Sequence, residues 1–148
     1  MRSVRRLLTI GSLAAALAVC AAAVQGASAS PVRSCGSLAV GGEAVTTNST
    51  GSGAACMLTA FRSCTPATYR LTSFGVDAIA TSTFVVAKGP NGCIVTVSVT
   101  HRIVPRPPSG PTLGRCGAIV RAGPDIVATG CRPATLSPTL SLTGKPHG

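Results

Sequence analysis

The chain has 148 residues, with 17 Gly, 11 Pro, no Trp and 11% charged side chains, which is room for one small domain. Thirteen Lys and Arg stand against three Asp and Glu, a net charge of +10, and there are only two His. So short a supply of acids and imidazoles disfavours most enzyme classes.

Residues 1–29 read as a secretory signal peptide. Arg2, Arg5 and Arg6 make a basic start, Leu7 to Val24 is almost wholly apolar, and Ala27-Ser28-Ala29 closes with small residues, so cleavage is expected before Ser30. Gly11 and the many alanines leave this stretch less apolar than a membrane span. The Arg5-Arg6 pair points weakly to a twin-arginine route, since Val4 and Leu8 stand where such signals carry a hydroxyl residue and a Phe. Val19 is too large for the position before the cysteine of a lipidation box, so anchoring through Cys20 is the minor alternative. The expected location is secreted or attached to the cell envelope, with no transmembrane span in the mature chain.

Removal of the leader takes three of the 13 cations, leaving 119 residues with 10 basic and three acidic side chains, net +7. Val, Ile, Leu and Phe make up 27 of those 119, just above the composition at which chains stay disordered, so the core needs staples. Six cysteines remain, at 35, 56, 64, 93, 116 and 131, an even number that predicts three disulfides. No pair has C-x-x-C spacing and the imidazoles are His101 and His147, so neither a metal nor any other cofactor is expected.

In chain order, Ser52 is placed to cap a helix over residues 53–64, with Ala54, Met57, Leu58, Phe61 and Cys64 on one face. Thr65-Pro66 stops it. Ala67 to Phe74 alternates as a half-buried strand. Residues 79–88 and 93–104 are β-branched and flank Gly89-Pro90-Asn91-Gly92, a hairpin turn; if Lys88 faces Cys93, then Val86 faces Val95 and Phe84 faces Val97 on the core side. The opposite face is lined by hydroxyls. Pro105, Pro107, Pro108 and Pro111 make an extended loop, and residues 116–121 and 126–131 form a second hairpin around Gly123-Pro124. Residues 132–148 lack a period and read as a flexible tail, which gives a leader at 1–29, one disulfide-stabilised domain at 30–131 and a tail at 132–148.

Cys116 and Cys131 fall near-opposite across the second hairpin. Cys56 and Cys64 are roughly 12 Å apart along the helix, beyond the reach of about 7 Å that a disulfide allows. Two pairings survive for the rest. Cys64 lies on the buried helix face and Cys93 shares parity with Val95, which favours Cys64–Cys93 with Cys35–Cys56.

Cys56-x-x-x-Ala60-Phe61-x-x-Cys64-x-Pro66-Ala67, followed by Gly75-Val76-Asp77, Phe84, Cys93, Val104-Pro105-Arg106-Pro107-Pro108, Cys116 and Cys131, resembles a group of small, uncharacterised exported bacterial proteins. Ala78 after Gly75-Val76-Asp77 and the additional Cys35 depart from that group's pattern. The resemblance spans residues 54–131 and implies export and a cysteine-flanked helix before a β-rich segment; it implies no function.

Glu43, Asp77 and Asp125 are the only carboxylates, and Asp77 and Asp125 sit in predicted turns, where an Asp bonds its own backbone. His101 has inward parity near its strand end, opposite Ala80, where a rim pocket shared with Asp77 competes with a plain structural role. G-x-S-x-G is absent from the mature chain and a Cys nucleophile would need an unpaired cysteine, so no catalytic residue is assigned. The charge is mostly arginine, suited to phosphate and carboxylate. Arg70 and Arg102 are expected on the hydroxyl face, with Arg106 opening the Pro-rich loop. The candidate binding residues are thus Arg70, Arg102, Arg106, Asp77 and His101.

The expected fold is α+β, one N-terminal helix packed on a curled antiparallel sheet of four to five strands with three disulfides; an all-β sandwich with a short helix is the alternative. The expected role is a non-enzymatic exported binding module for an anionic envelope polymer or lipid headgroup. The alternative is an inhibitor or protein-interaction module acting through loop 104–111. A solvated face charged for solubility competes with both. Nucleic acid is disfavoured because the aromatics have core parity and cannot also stack on bases.

Overall fold

The computed structural model describes residues 31–41 and 52–144. The expected leader and its cleavage site, Glu43 and His147 lie outside the described residues. Eight strands and one helix follow in the order β1 (Arg33–Val40), α1 (Ser52–Ser63), β2 (Ala67–Phe74), β3 (Ala78–Gly89), β4 (Gly92–Ile103), β5 (Thr112–Cys116), β6 (Ala118–Ala122), β7 (Asp125–Thr129) and β8 (Thr139–Ser141).

Helix α1 forms where the apolar period predicts it. Ala54, Met57, Leu58 and Ala60 are buried and Phe61 packs at their margin. Its end is made by the backbone as well as by Pro66: Cys64 takes a left-handed conformation (φ 53°), its N–H donates to the Phe61 carbonyl, and the Thr65 N–H donates to Ala60 at 3.0 Å. Those two bonds satisfy carbonyls that the last turn leaves open. At the other end, a side chain on Gly53 would meet the Tyr69 ring and the Cys35 carbonyl, so glycine lets the helix lie against the sheet.

The expected hairpin is present in register, with Lys88 opposite Cys93, Val86 opposite Val95 and Phe84 opposite Val97. Strand β2 pairs antiparallel with β3 over its whole length. All three expected disulfides form, Cys35–Cys56, Cys64–Cys93 and Cys116–Cys131.

Three expectations are corrected. The helix is not N-terminal, because β1 precedes it and pairs parallel to β2. A register shift between Ser34 and Ser37 turns both Cys35 and Leu38 inward at a spacing that an uninterrupted pleat forbids. Second, there are two sheets: a mixed one ordered β1-β2-β3-β4-β5 and an antiparallel one ordered β6-β7-β8. Third, the segment expected to be a flexible tail is folded as far as Gly144. It contributes β8, buries Leu136 and Leu142, and ends with the Leu142 N–H on the Ile126 carbonyl.

One core joins these parts. The inner face of the larger sheet (Tyr69, Leu71, Phe84, Val86, Val95, Val97, Val99) meets the helix and, from the smaller sheet and the C-terminal segment, Ile119, Ile126, Ala128, Leu136 and Leu142. Each such aliphatic or aromatic side chain stabilises the fold by about 1.5 to 3 kcal/mol relative to exposure. Among the described residues, no comparable layer packs on the opposite face of the larger sheet.

Candidate functional site

Pairing sets the outward side chains of the larger sheet in rows across the strands. One row runs Ser37, Arg70, Thr83, Ser98, Leu113 from β1 to β5, and the next Ser34, Thr68, Val85, Thr96, Arg115. A third holds Ala39, Thr72, Thr81 and Thr100, and a fourth, at the strand ends, Phe74, Ile79 and Arg102. The face is hydroxyl-lined, and the Thr72 and Thr81 hydroxyls lie 3.4 Å apart.

Two hollows interrupt it. The larger, about 700 Å³, lies among Thr83, Val85, Thr96, Ser98 and Leu113, with Arg115, Arg132 and Pro133 beside them, and the surface it exposes is mainly apolar. The smaller, about 340 Å³, lies beside Arg70 with Ser34, Ser37 and Thr68. Arg132 reaches the larger hollow because its backbone bridges Arg115, each N–H donating to the other's carbonyl at 2.9 and 2.8 Å. Residues exchanging both bonds in an antiparallel pair project to the same side, so the two exposed arginine side chains leave the same side of the sheet. Like charges so placed repel, and an anion between them relieves the repulsion.

The residues singled out from the sequence are not gathered into one site. Arg70 and Arg102 both face outward, but the register puts them two strands and four residues apart, roughly 16 Å by strand geometry. Arg106 is exposed in the Pro-rich loop, its N–H on the Ile103 carbonyl at 2.6 Å. Asp77 is exposed in the β2–β3 turn, where its carbonyl accepts the Val104 N–H at 2.9 Å.

His101 pairs with Ala80 as expected yet is exposed, since β5 stops at Thr112 opposite Val99 and the core ends there. Its backbone holds Ser109, whose N–H and hydroxyl both donate to the His101 carbonyl, at 2.7 and 2.9 Å. His101 and Asp77 therefore share one end of the sheet but no enclosed pocket. Asp125 is structural, its carboxylate accepting the Thr143 hydroxyl at 2.9 Å. Among the described residues no charged side chain is buried, and no buried side-chain oxygen or nitrogen lacks a hydrogen bond.

Arg115 and Arg132 were not singled out by the sequence reading, which left 112–115 in a loop and 132 in a tail. Neither leaves a clear local signal: Gly114 interrupts the alternation around Arg115, whose place comes from its pairing with Thr96, and the place of Arg132 comes from a single bridge. Comparison with protein-family models, with curated proteins and with solved structures returned no match for this chain.

Proposed function

We propose that the protein is a non-enzymatic exported binding module whose outer sheet face takes an acidic polymer of the cell envelope. The observation that carries this reading is the Arg115–Arg132 pair, two exposed arginines bridged through their backbones at the edge of the outer sheet face. Guanidinium forks bind phosphate and carboxylate oxygens bidentately, which suits an acidic polymer. The leader pattern, the disulfides, which belong to oxidising compartments, and the cysteine frame support export.

The test is retention of the disulfide-bonded protein on envelope fractions and on immobilised acidic polymers through a salt titration. The parent should be retained at low salt and released steeply as salt rises. Arg115→Ser with Arg132→Ser should flatten that dependence more than Arg70→Ser with Arg102→Ser, because the first pair acts at one point and the second is spread. Absence of retention at low salt, or equal behaviour of parent and the Arg115/Arg132 variant, would remove the reading.

A further inference from the structure

Four of the seven large hydrophobic side chains exposed among the described residues lie together at one end of the larger sheet: Val76 (100% exposed), Ile103 (56%), Val104 (48%) and Phe74 (40%). They come from the β2–β3 turn and the end of β4, which the pairing of Ala78 with Ile103 brings side by side. This end is far from the Arg115–Arg132 pair, since Arg115 pairs with Thr96, seven residues back along β4 from Ile103. The exposure belongs to a braced structure. The Val104 N–H is bonded to Asp77, Gly75 to Ala78, Arg106 to Ile103 and Ser109 to His101, at 2.6 to 2.9 Å. Nothing needs to be ordered for these side chains to meet a partner, which removes one cost of binding.

We infer that this tip seats on the surface of an anionic lipid bilayer. Chemistry favours a lipid surface over a protein. The apolar atoms sit at the ends of strands, with Val76 wholly outside the fold, a shape that a fluid acyl boundary accepts without a complementary socket. Arg102 closes the row begun by Phe74, and Arg106 is exposed in the adjoining loop, so two arginines share this end of the sheet with the apolar side chains and are available to lipid phosphates. Asp77 shares the turn and opposes them, two cations to one anion among the described residues of this end. The protein would lie on the membrane and not cross it; no helix among the described residues is long and apolar enough to span a bilayer.

The experiment is sedimentation of the exported, disulfide-bonded protein with vesicles of phosphatidylcholine alone and of phosphatidylcholine mixed with phosphatidylglycerol. The parent should partition onto the mixed vesicles and release as salt rises. Val76→Ser combined with Val104→Ser should reduce that partition roughly tenfold or more, by loss of the apolar contact. Both positions are exposed, and unchanged melting of the variant confirms its fold. At physiological salt, where charges more than about 8 Å from the bilayer are screened, Arg115→Ser with Arg132→Ser should keep most of the parent's vesicle binding while losing polymer retention, which separates failure of this inference from failure of the polymer-binding reading. Any contribution from an uncleaved N-terminal apolar segment is common to all variants and cancels. Parental partition by the Val76/Val104 variant overturns the inference, as does loss of vesicle binding by the Arg115/Arg132 variant. Absence of binding to mixed vesicles at low salt also overturns it and reassigns the tip to a protein partner.

Discussion

Tyr69 is the only hydroxyl-bearing side chain in the buried core of the described residues. Its O–H donates to the Leu142 carbonyl at 2.9 Å, and burial pushes the phenol from 10.0 up to about 12. The folded state thus holds this proton more tightly than the unfolded chain does. The stability tied to the neutral phenol is complete below pH 10 and is lost as pH rises from 10 through 12, about 2 to 3 kcal/mol in all. Because the chain has one tyrosine, tyrosinate absorbance follows this residue alone. Titration of the native protein should give a midpoint near 12, and titration in denaturant one near 10; a native midpoint near 10 would show the phenol open to water. Among the candidate site residues, Arg70 and Arg102 were readable as outward-facing because parity is local, whereas their separation depended on which residue faced which across two strand pairs.

Elements with local signals were legible: the period of α1, the alternation of β2, and the Gly-Pro-Asn-Gly turn that sets the β3–β4 register. Strand β5 was not, since Gly114 interrupts its alternation and Pro111 precedes it. Gly114 is nonetheless what lets the C-terminal segment dock. A side chain there would strike the Leu136 methyl and the Arg132 carbonyl, whereas one on Gly110 meets open space. Gly114→Ala should therefore destabilise by about 1 to 3 kcal/mol in urea unfolding, as overpacked sites do. Gly110→Ala should stay within about 0.5 kcal/mol of the parent. If Arg132 is seated through this contact, Gly114→Ala should also weaken retention on acidic polymers, a loss that Gly110→Ala does not share.

For the molecule as a whole, composition and cysteine count anticipated a small β-rich domain with one helix and three disulfides, but not its two sheets. The parallel pairing of β1 with β2 is non-local, joining residues more than 30 apart across an intervening helix, and leaves no trace in local pattern. The role of the C-terminal segment was hidden for a related reason: Leu136, Leu140 and Leu142 stand among Pro, Ser and Thr that resemble linker composition, and only the core explains their burial or packing. Leu142 is fully buried and its carbonyl holds Tyr69. Leu142→Ala should cost about 2 to 5 kcal/mol in thermal or urea unfolding, within the range for large-to-small core changes. The same variant should lower the native tyrosinate midpoint, since it opens the space over the phenol.

The six cysteines among the described residues pair first with second, third with fourth and fifth with sixth. Six cysteines admit 15 connectivities, and this is the one in which every partner is the next to arrive. A chain threaded N-terminus first into an oxidising compartment would present each pair complete before the next cysteine emerges. Sequential oxidation of a chain so threaded reaches the native linkage directly, with no crossed bond for an isomerase to undo, so maturation by that route asks for an oxidant alone.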